Sequence, residues 1–443
     1  MSRTAYSSVV LRSPYDRDIA RLAVPALGTL VAEPLYVLAD TAIVGRIGTD
    51  ELAGLALATA VLLSVHSIAI FLTYGTTATV ARLIGGEREA DAAYQSGQGL
   101  WLSVLLGSAT ALLLLFTGEW FLRLFGGEGA PLDAAKTYLF ISLAGLPFLL
   151  IGLAGAGAFT GRQDTRTPLL IAVAGAVANL IIELILVLGL GYGIGASALS
   201  TVIAQVGTGL VFAVAVLRWA RQTGVSLKPD LPAIGRLMAG GRALILRSIA
   251  LRSSFAIGTA VAAGIGVAEL AAHQVATQIW GTLTLGLDAL AIAGQALTGK
   301  WLGAGDAVRA RAAARRMIEL DVGIAALVGI VVFVVREPLA GLFSTDPAVV
   351  SATSFVLVWV AVSQPLNGYV FALDGILIGA GDLTYLGRAV ALGAVIFAGM
   401  TVWIVRAEAG LGWLWAAITV LMAIRGITLW WRWRSGRWVI LGT

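Results

Sequence analysis

Apolar runs long enough to cross a bilayer recur along the whole chain, separated by short clusters of charged and turn residues. A span needs about 20 apolar residues, roughly 30 Å of helix. In hydrocarbon every backbone polar group must be satisfied within the protein, so such runs fold as helices. Read between charge and turn clusters, they predict twelve helices: 17–45, 51–84, 91–117, 131–160, 165–188, 194–220, 233–263, 269–302, 307–335, 349–378, 383–405 and 411–434. Several exceed the minimum, which fits tilted or protruding helices. Only 12% of the 443 residues are charged, against about 25% in an ordinary soluble protein. That is too few to coat a water-facing surface. A soluble enzyme, a disordered tail and a secreted disulfide scaffold are therefore excluded. The absence of cysteine says nothing about redox compartment, because membrane spans need no disulfides. The first fifteen residues are polar and lack an apolar signal core, so no cleaved leader is expected.

Basic residues set the expected orientation. Most Lys and Arg fall on one face, among them Arg3, Arg12, Arg82, Arg88, Arg162, Lys228, Lys300, Arg316, Arg425 and Arg437. The opposite face has only Arg46, Arg123, Lys136, Arg336 and Arg406, with Arg247 and Arg252 inside a span. Both termini are expected to be cytoplasmic, with the protein multi-pass in the cell membrane. One-sided placement around apolar spans argues against a nucleic-acid surface. The tail Trp430–Trp431–Arg432–Trp433–Arg434 reads as an interfacial anchor on anionic lipid.

The sequence also repeats. One gap-free offset carries Gly48 onto Gly266, Glu51 onto Glu269, Arg82 onto Lys300 and Gly85 onto Gly303. It also carries Pro147 onto Pro365, Gly161 onto Gly379 and Asp164 onto Asp382. Two parallel six-helix repeats follow, expected as an amino-terminal lobe 1–220, a linker 221–232 and a carboxy-terminal lobe 233–443. Parallel repeats about an axis along the membrane normal are a transporter plan with a central cavity. The fold class is therefore an all-α polytopic membrane protein.

Ionisable groups inside spans are costly and mark functional sites. The first helix carries Glu33 and Asp40, two turns apart, and the fifth carries Asn179 and Glu183 at i, i+4. Ser200 and Thr201 lie adjacent on the sixth. If these faces converge, two carboxyls, an amide and a hydroxyl share one low-dielectric pocket. Two such carboxyls cannot both ionise cheaply, which suits a proton-coupled carrier. Glu33, beside Pro34, reads equally as a cap at a kink. The second repeat differs: Asp40, Asn179 and Glu183 map onto Gly258, Phe397 and Thr401. Its own intramembrane charges are Arg247, Arg252, Asp288 and Asp374. Snorkelling accounts for the two arginines as well as a substrate role does, and loop solvation could account for Asp374. His66 and His273 lack metal-ligand neighbours and read as packing or interface residues. Glu33, Pro25, Tyr36, Arg247, Asp288 and Asp374 are the candidate substrate-cavity or gating residues. Gly294 to Lys300 mimics the start of a phosphate-binding loop, but Trp301 stands where Ser or Thr is required. No metal, cofactor or catalytic residue is expected, and the protein is not read as an enzyme.

The run Glu33–Pro34–Leu35–Tyr36–Val37–Leu38–Ala39–Asp40–Thr41–Ala42–Ile43–Val44–Gly45–Arg46–Ile47–Gly48 resembles the first helix of MATE (multidrug and toxic compound extrusion) transporters. Its Glu-Pro start is similar to the branch named for the DNA-damage-inducible protein F. Ala271 to Val275 and Asp374 to Asp382 are similar to that branch's eighth and tenth helices, and the resemblance covers essentially the whole chain. It implies V-shaped lobes that expel organic compounds in exchange for protons or sodium ions. By the same resemblance, Asp40, Asn179 and Thr201 match the amino-lobe coupling positions, and Glu183 stands where the better-known members have Asp. Asp374 matches the tenth-helix Asp of a carboxy-lobe sodium site in other branches, but the seventh helix here supplies no Glu. The leading expectation is a monomer that exports small drug-like solutes by proton antiport. Sodium antiport and a lipid-linked precursor flippase are the alternatives; a passive channel ranks last because the spans are too apolar.

Overall fold

The computed structural model describes residues 13–442, so the readings made on Arg3 and Arg12 lie outside it. It contains twelve membrane-spanning helices of 24 to 37 residues. They are α1 Asp16–Val44, α2 Thr49–Gly85, α3 Glu89–Leu124, α4 Gly129–Gly161, α5 Arg166–Gly189 and α6 Ile194–Gln222. The second repeat supplies α7 Leu231–Ile265, α8 Val267–Gly303, α9 Ala307–Gly341, α10 Pro347–Gly379, α11 Leu383–Arg406 and α12 Leu411–Ser435. No strand occurs among the described residues.

Each half repeats one packing plan. α2 packs on α3 and α4, and α5 on α1 and α6; correspondingly, α8 packs on α9 and α10, and α11 on α7 and α12. Two helices run further than their hydropathy suggests. α3 reaches Leu124 because Glu119 and Arg123, one turn apart, pair at 2.8 Å and let the helix protrude. α9 continues through Arg336 and Pro338 to Gly341. Three helices are locally irregular: α2 breaks at Ile70, α4 tightens into a 3₁₀ turn at Leu143–Gly145, and α5 ends as a π-helix over Leu184–Gly189.

The apolar cores define the shape. On the side that holds both described chain ends and most of the Arg and Lys, a single core is shared by the halves. It joins Ile19, Leu22 and Leu72 to Leu290, Leu297, Leu302 and Leu386. On the opposite side each half has its own core, one around Leu55, Leu122 and Leu139 and the other around Val356, Phe397 and Leu414. The halves are thus fused at one end and separate at the other, a V.

The fusion depends on glycine. A Cβ on Gly85 would overlap the Lys300 carbonyl, and one on Gly303 would overlap the Arg82 carbonyl. These positions are related by the repeat, so α2 and α8 exchange the same backbone approach in both directions. Arg82 secures the contact, donating to the carbonyls of Ala380, Ile440 and Gly442 at 2.7 Å each. The Gly442 amide donates to the Leu302 carbonyl at 3.1 Å. Trp438, buried and stacked 4.9 Å from Trp433, anchors this tail. Arg316 on α9 pairs with Asp16 at the start of α1 at 2.7 Å.

Gly85→Val drives a side chain into backbone that cannot yield, and overpacking of this kind costs about 1–3 kcal/mol. Its apparent unfolding temperature in detergent is expected to fall well below that of Gly281→Ala, a control at a site with open space around it. Equal temperatures for the two variants would remove the glycine contact as the support of the closure.

Candidate functional site

A cavity of about 400 Å³ lies mainly within the amino-terminal half, walled by α1, α2, α4, α5 and α6, with α8 of the other half closing one side. Most of its lining is apolar. Its ionisable side chains other than tyrosine are three acids, Glu33, Asp40 and Asp288, and one histidine, His66; among the described residues no Arg or Lys lines it. Tyr36, Tyr74, Tyr138, Asn179, Thr201, Gln205 and Gln295 are among its other polar side chains.

Asp40 is buried near the far end of α1. Ser197 donates to one of its oxygens at 2.6 Å, and the Tyr138 hydroxyl approaches the other at 3.4 Å. Beside it, the Thr201 hydroxyl lies 2.9 Å from that of Tyr36 and accepts from Asn179 Nδ2 at 3.2 Å. Glu183 is wholly buried behind this wall, and neither of its oxygens has a hydrogen-bond partner. Its polar neighbours are Asp40 and Ser197. The helical spacing explains the grouping, since Asn179 and Glu183 share one face of α5. α5 changes from α to π immediately after Glu183, an irregularity that often marks a functional position. The structure thus brings together Asp40, Asn179, Glu183, Thr201 and Tyr36.

Glu33 faces the cavity and lies 3.8 Å from His66 Nε2. Pro25 is buried in α1 away from the cavity wall, and its carbonyl accepts from Thr29 at 3.1 Å. His273 does pack: it is buried against Trp415, with ring centroids 5.7 Å apart.

In the second half the charges are organised differently. Asp374 receives Arg247 at 2.7 Å and Arg425 at 2.5 Å on the same oxygen; Asp374 and Arg425 are buried and Arg247 nearly so. Arg247 therefore does not snorkel, and Asp374 is not solvated at a loop. Arg425, read from the sequence as a surface residue, is 2% exposed. Arg247 and Asp374 do not line the large cavity but a neighbouring space of about 10 Å³, room for one water. Asp288 and Tyr74 face both spaces, and Tyr74 reaches Asp288 across the two halves at 3.5 Å.

Sequence reasoning missed Tyr138, Ser197, Arg425 and Asp321. Hydroxyl residues are common in spans and carry little signal. Asp321, inside α9, was findable as an intramembrane acid, but it follows Arg315, Arg316 and Glu319 so closely that it reads as part of a surface cluster.

Residues 25–185 and 243–404 each match the MatE family model. The chain belongs to the MATE family. DNA damage-inducible protein F of Escherichia coli is 30% identical, over 96% of this chain and 94% of its own length. The chloroplastic Protein DETOXIFICATION 44 of Arabidopsis thaliana is also 30% identical, over 96% of this chain and 84% of its own. Among solved structures, an outward-facing multidrug resistance MATE family transporter superposes with a TM-score of 0.84, at 23% identity, covering 99% of both chains. The Vibrio cholerae MATE transporter VcmN in its bent form superposes at 0.86, with 20% identity and 95% of this chain covered, 96% of its own. These likenesses show the fold, and the fold class read from the sequence agrees with them.

Removing Asp374 leaves two buried guanidiniums facing each other. Breaking a buried ion pair from one side costs about 3–5 kcal/mol. Asp374→Asn is therefore expected to unfold at markedly lower temperature than the unchanged protein, and adding Arg425→Gln should recover part of the loss. No recovery in the double variant would show that the two residues are not energetically coupled.

Proposed function

We propose that this MATE family member exports amphipathic organic cations by exchange with protons, with the basic side facing the cytoplasm. The observation that carries the reading is the pair Asp40 and Glu183. One carboxyl forms the cavity wall and accepts from two hydroxyls; the other sits behind it with neither oxygen hydrogen-bonded. A buried carboxylate without a partner is strongly disfavoured. A cationic solute in the cavity and a proton on this pair compete for the same negative charge. That competition is the chemical basis of exchange. The cavity's three acids and lack of Arg or Lys suit a cationic substrate. They also count against a flippase for pyrophosphate-linked lipids, since Arg247 and Arg425 are committed to Asp374.

Alternating access would come from reversing the V: opening the shared core on the basic side and joining the two separate cores on the other. The orientation rests on the bias of Lys and Arg to cytoplasmic loops.

Because the chain has no cysteine, orientation can be read on a silent background. An impermeant maleimide applied to intact cells should label Glu128→Cys and leave Val225→Cys unlabelled; the reverse pattern would invert the topology.

For coupling, Asp40→Asn and Glu183→Gln keep shape and hydrogen bonding while removing the titratable group. In proteoliposomes with an imposed pH gradient and no sodium, both should bind a cationic substrate more weakly and lose active transport. Asp374→Asn, compared at matched amounts of folded protein, should retain more activity. Activity driven by sodium alone would replace the proton with sodium, and full activity of both amino-half variants would move coupling to the other half.

A further inference from the structure

The second half holds an acid that no interaction accounts for. Asp321, on α9, is completely buried, and neither carboxyl oxygen has a hydrogen-bond partner. The α9 backbone at this residue packs directly on α10, where a Cβ on Gly368 would press against the Asp321 carbonyl. On α10, Asn367 and Gln364 are also buried, with unpartnered amide atoms. A buried acid with neither oxygen bonded is not a packing solution, because an apolar side chain of equal size would be more stable.

The local charges can be counted. α7 contributes Arg247, α12 Arg425, α10 Asp374 and α8 Asp288. Two guanidiniums against two carboxylates make a neutral set. α9 itself adds Glu319, but that group is exposed and paired with Arg315 and Arg316. Asp321 itself has no ion-pair or hydrogen-bond partner among the described residues. An ionised Asp321 would therefore stand uncompensated.

We propose that Asp321 is a second proton-binding site, in the carboxy-terminal half. The proton is taken up and given back as such, with no bond made or broken beyond O–H, as α9 shifts against α10 at the Gly368 contact. Asp321 would be a positioning and proton-holding group, not a substrate contact. This site lies outside the Asp40–Glu183 pair but rests on the proton-exchange reading, and it adds one proton to each cycle.

The test is a proton count on the purified full chain. A pH-indicator dye in weakly buffered detergent solution reports protons released when a cationic dye substrate binds. The unchanged protein should release more protons per substrate than Asp321→Asn, by one. Asp321→Glu should restore the larger count, which a merely structural role would not do. In proteoliposomes with the membrane potential clamped, loss of one proton per cycle should lower the sustained substrate ratio about tenfold per pH unit imposed. If Asp321→Asn does not fold, difference infrared spectra of the unchanged protein and Asp321→Glu decide. The carboxylic band lost on substrate binding should move from aspartic to glutamic character. No release from the unchanged protein would remove the proton reading itself. Equal release by the unchanged protein and Asp321→Asn, or an unmoved infrared band, would overturn the assignment of Asp321 alone.

Discussion

Close backbone approach between α2 and α8 is the constraint on which the rest of this architecture depends. Gly85 and Gly303 let each helix meet the other's carbonyl, and only a residue without Cβ fits there. Between spans in lipid there is no hydrophobic drive to associate, so contact depends on packing at this range and on hydrogen bonds. Arg82 supplies the bonds, gripping three carbonyls of the opposite half. Because the contact sits at one end of the helices, the halves share a core there and keep separate cores beyond it. The cavity follows from that asymmetry.

Within this frame the two halves handle buried charge in opposite ways. The carboxy-terminal half neutralises Asp374 with two guanidiniums in a closed triad. The amino-terminal half leaves Glu183 without a donor behind Asp40, at the wall of the cavity. An ion-paired triad holds its elements in place, whereas a carboxyl with no hydrogen bond is stabilised by a proton or cation that arrives. The repeat in sequence thus becomes a functional division: the same six-helix plan carries Asp40, Asn179 and Glu183 in one copy and Gly258, Phe397 and Thr401 in the other.

Much of this was legible in the sequence because membrane folding leaves few choices. Spans had to be helices, their number followed from apolar runs, and the offset from Gly85 to Gly303 exposed the repeat. Asn179 and Glu183 announced a shared face by their spacing alone. Interactions between distant helices were not legible. Ser197 and Tyr138 are ordinary span residues until folding brings them to Asp40. Arg425 stands close to a tryptophan-rich tail and so resembles an interfacial anchor, yet Asp374 draws it inside. Glu119 with Arg123 looked like the end of a span, whereas their pairing lets α3 continue.

The grip of Arg82 has a consequence for how the protein is made. Arg82 emerges from the ribosome with the first pair of helices, but Ala380, Ile440 and Gly442 follow hundreds of residues later. Until then its guanidinium has only water and lipid headgroups to bond. The clasp at Arg82 cannot be completed in step with insertion; two of its three carbonyls wait for the segment after α12, where Trp438 stacks on Trp433. Assembly is thereby ordered, with each six-helix half free to settle before the clasp that joins them is delivered.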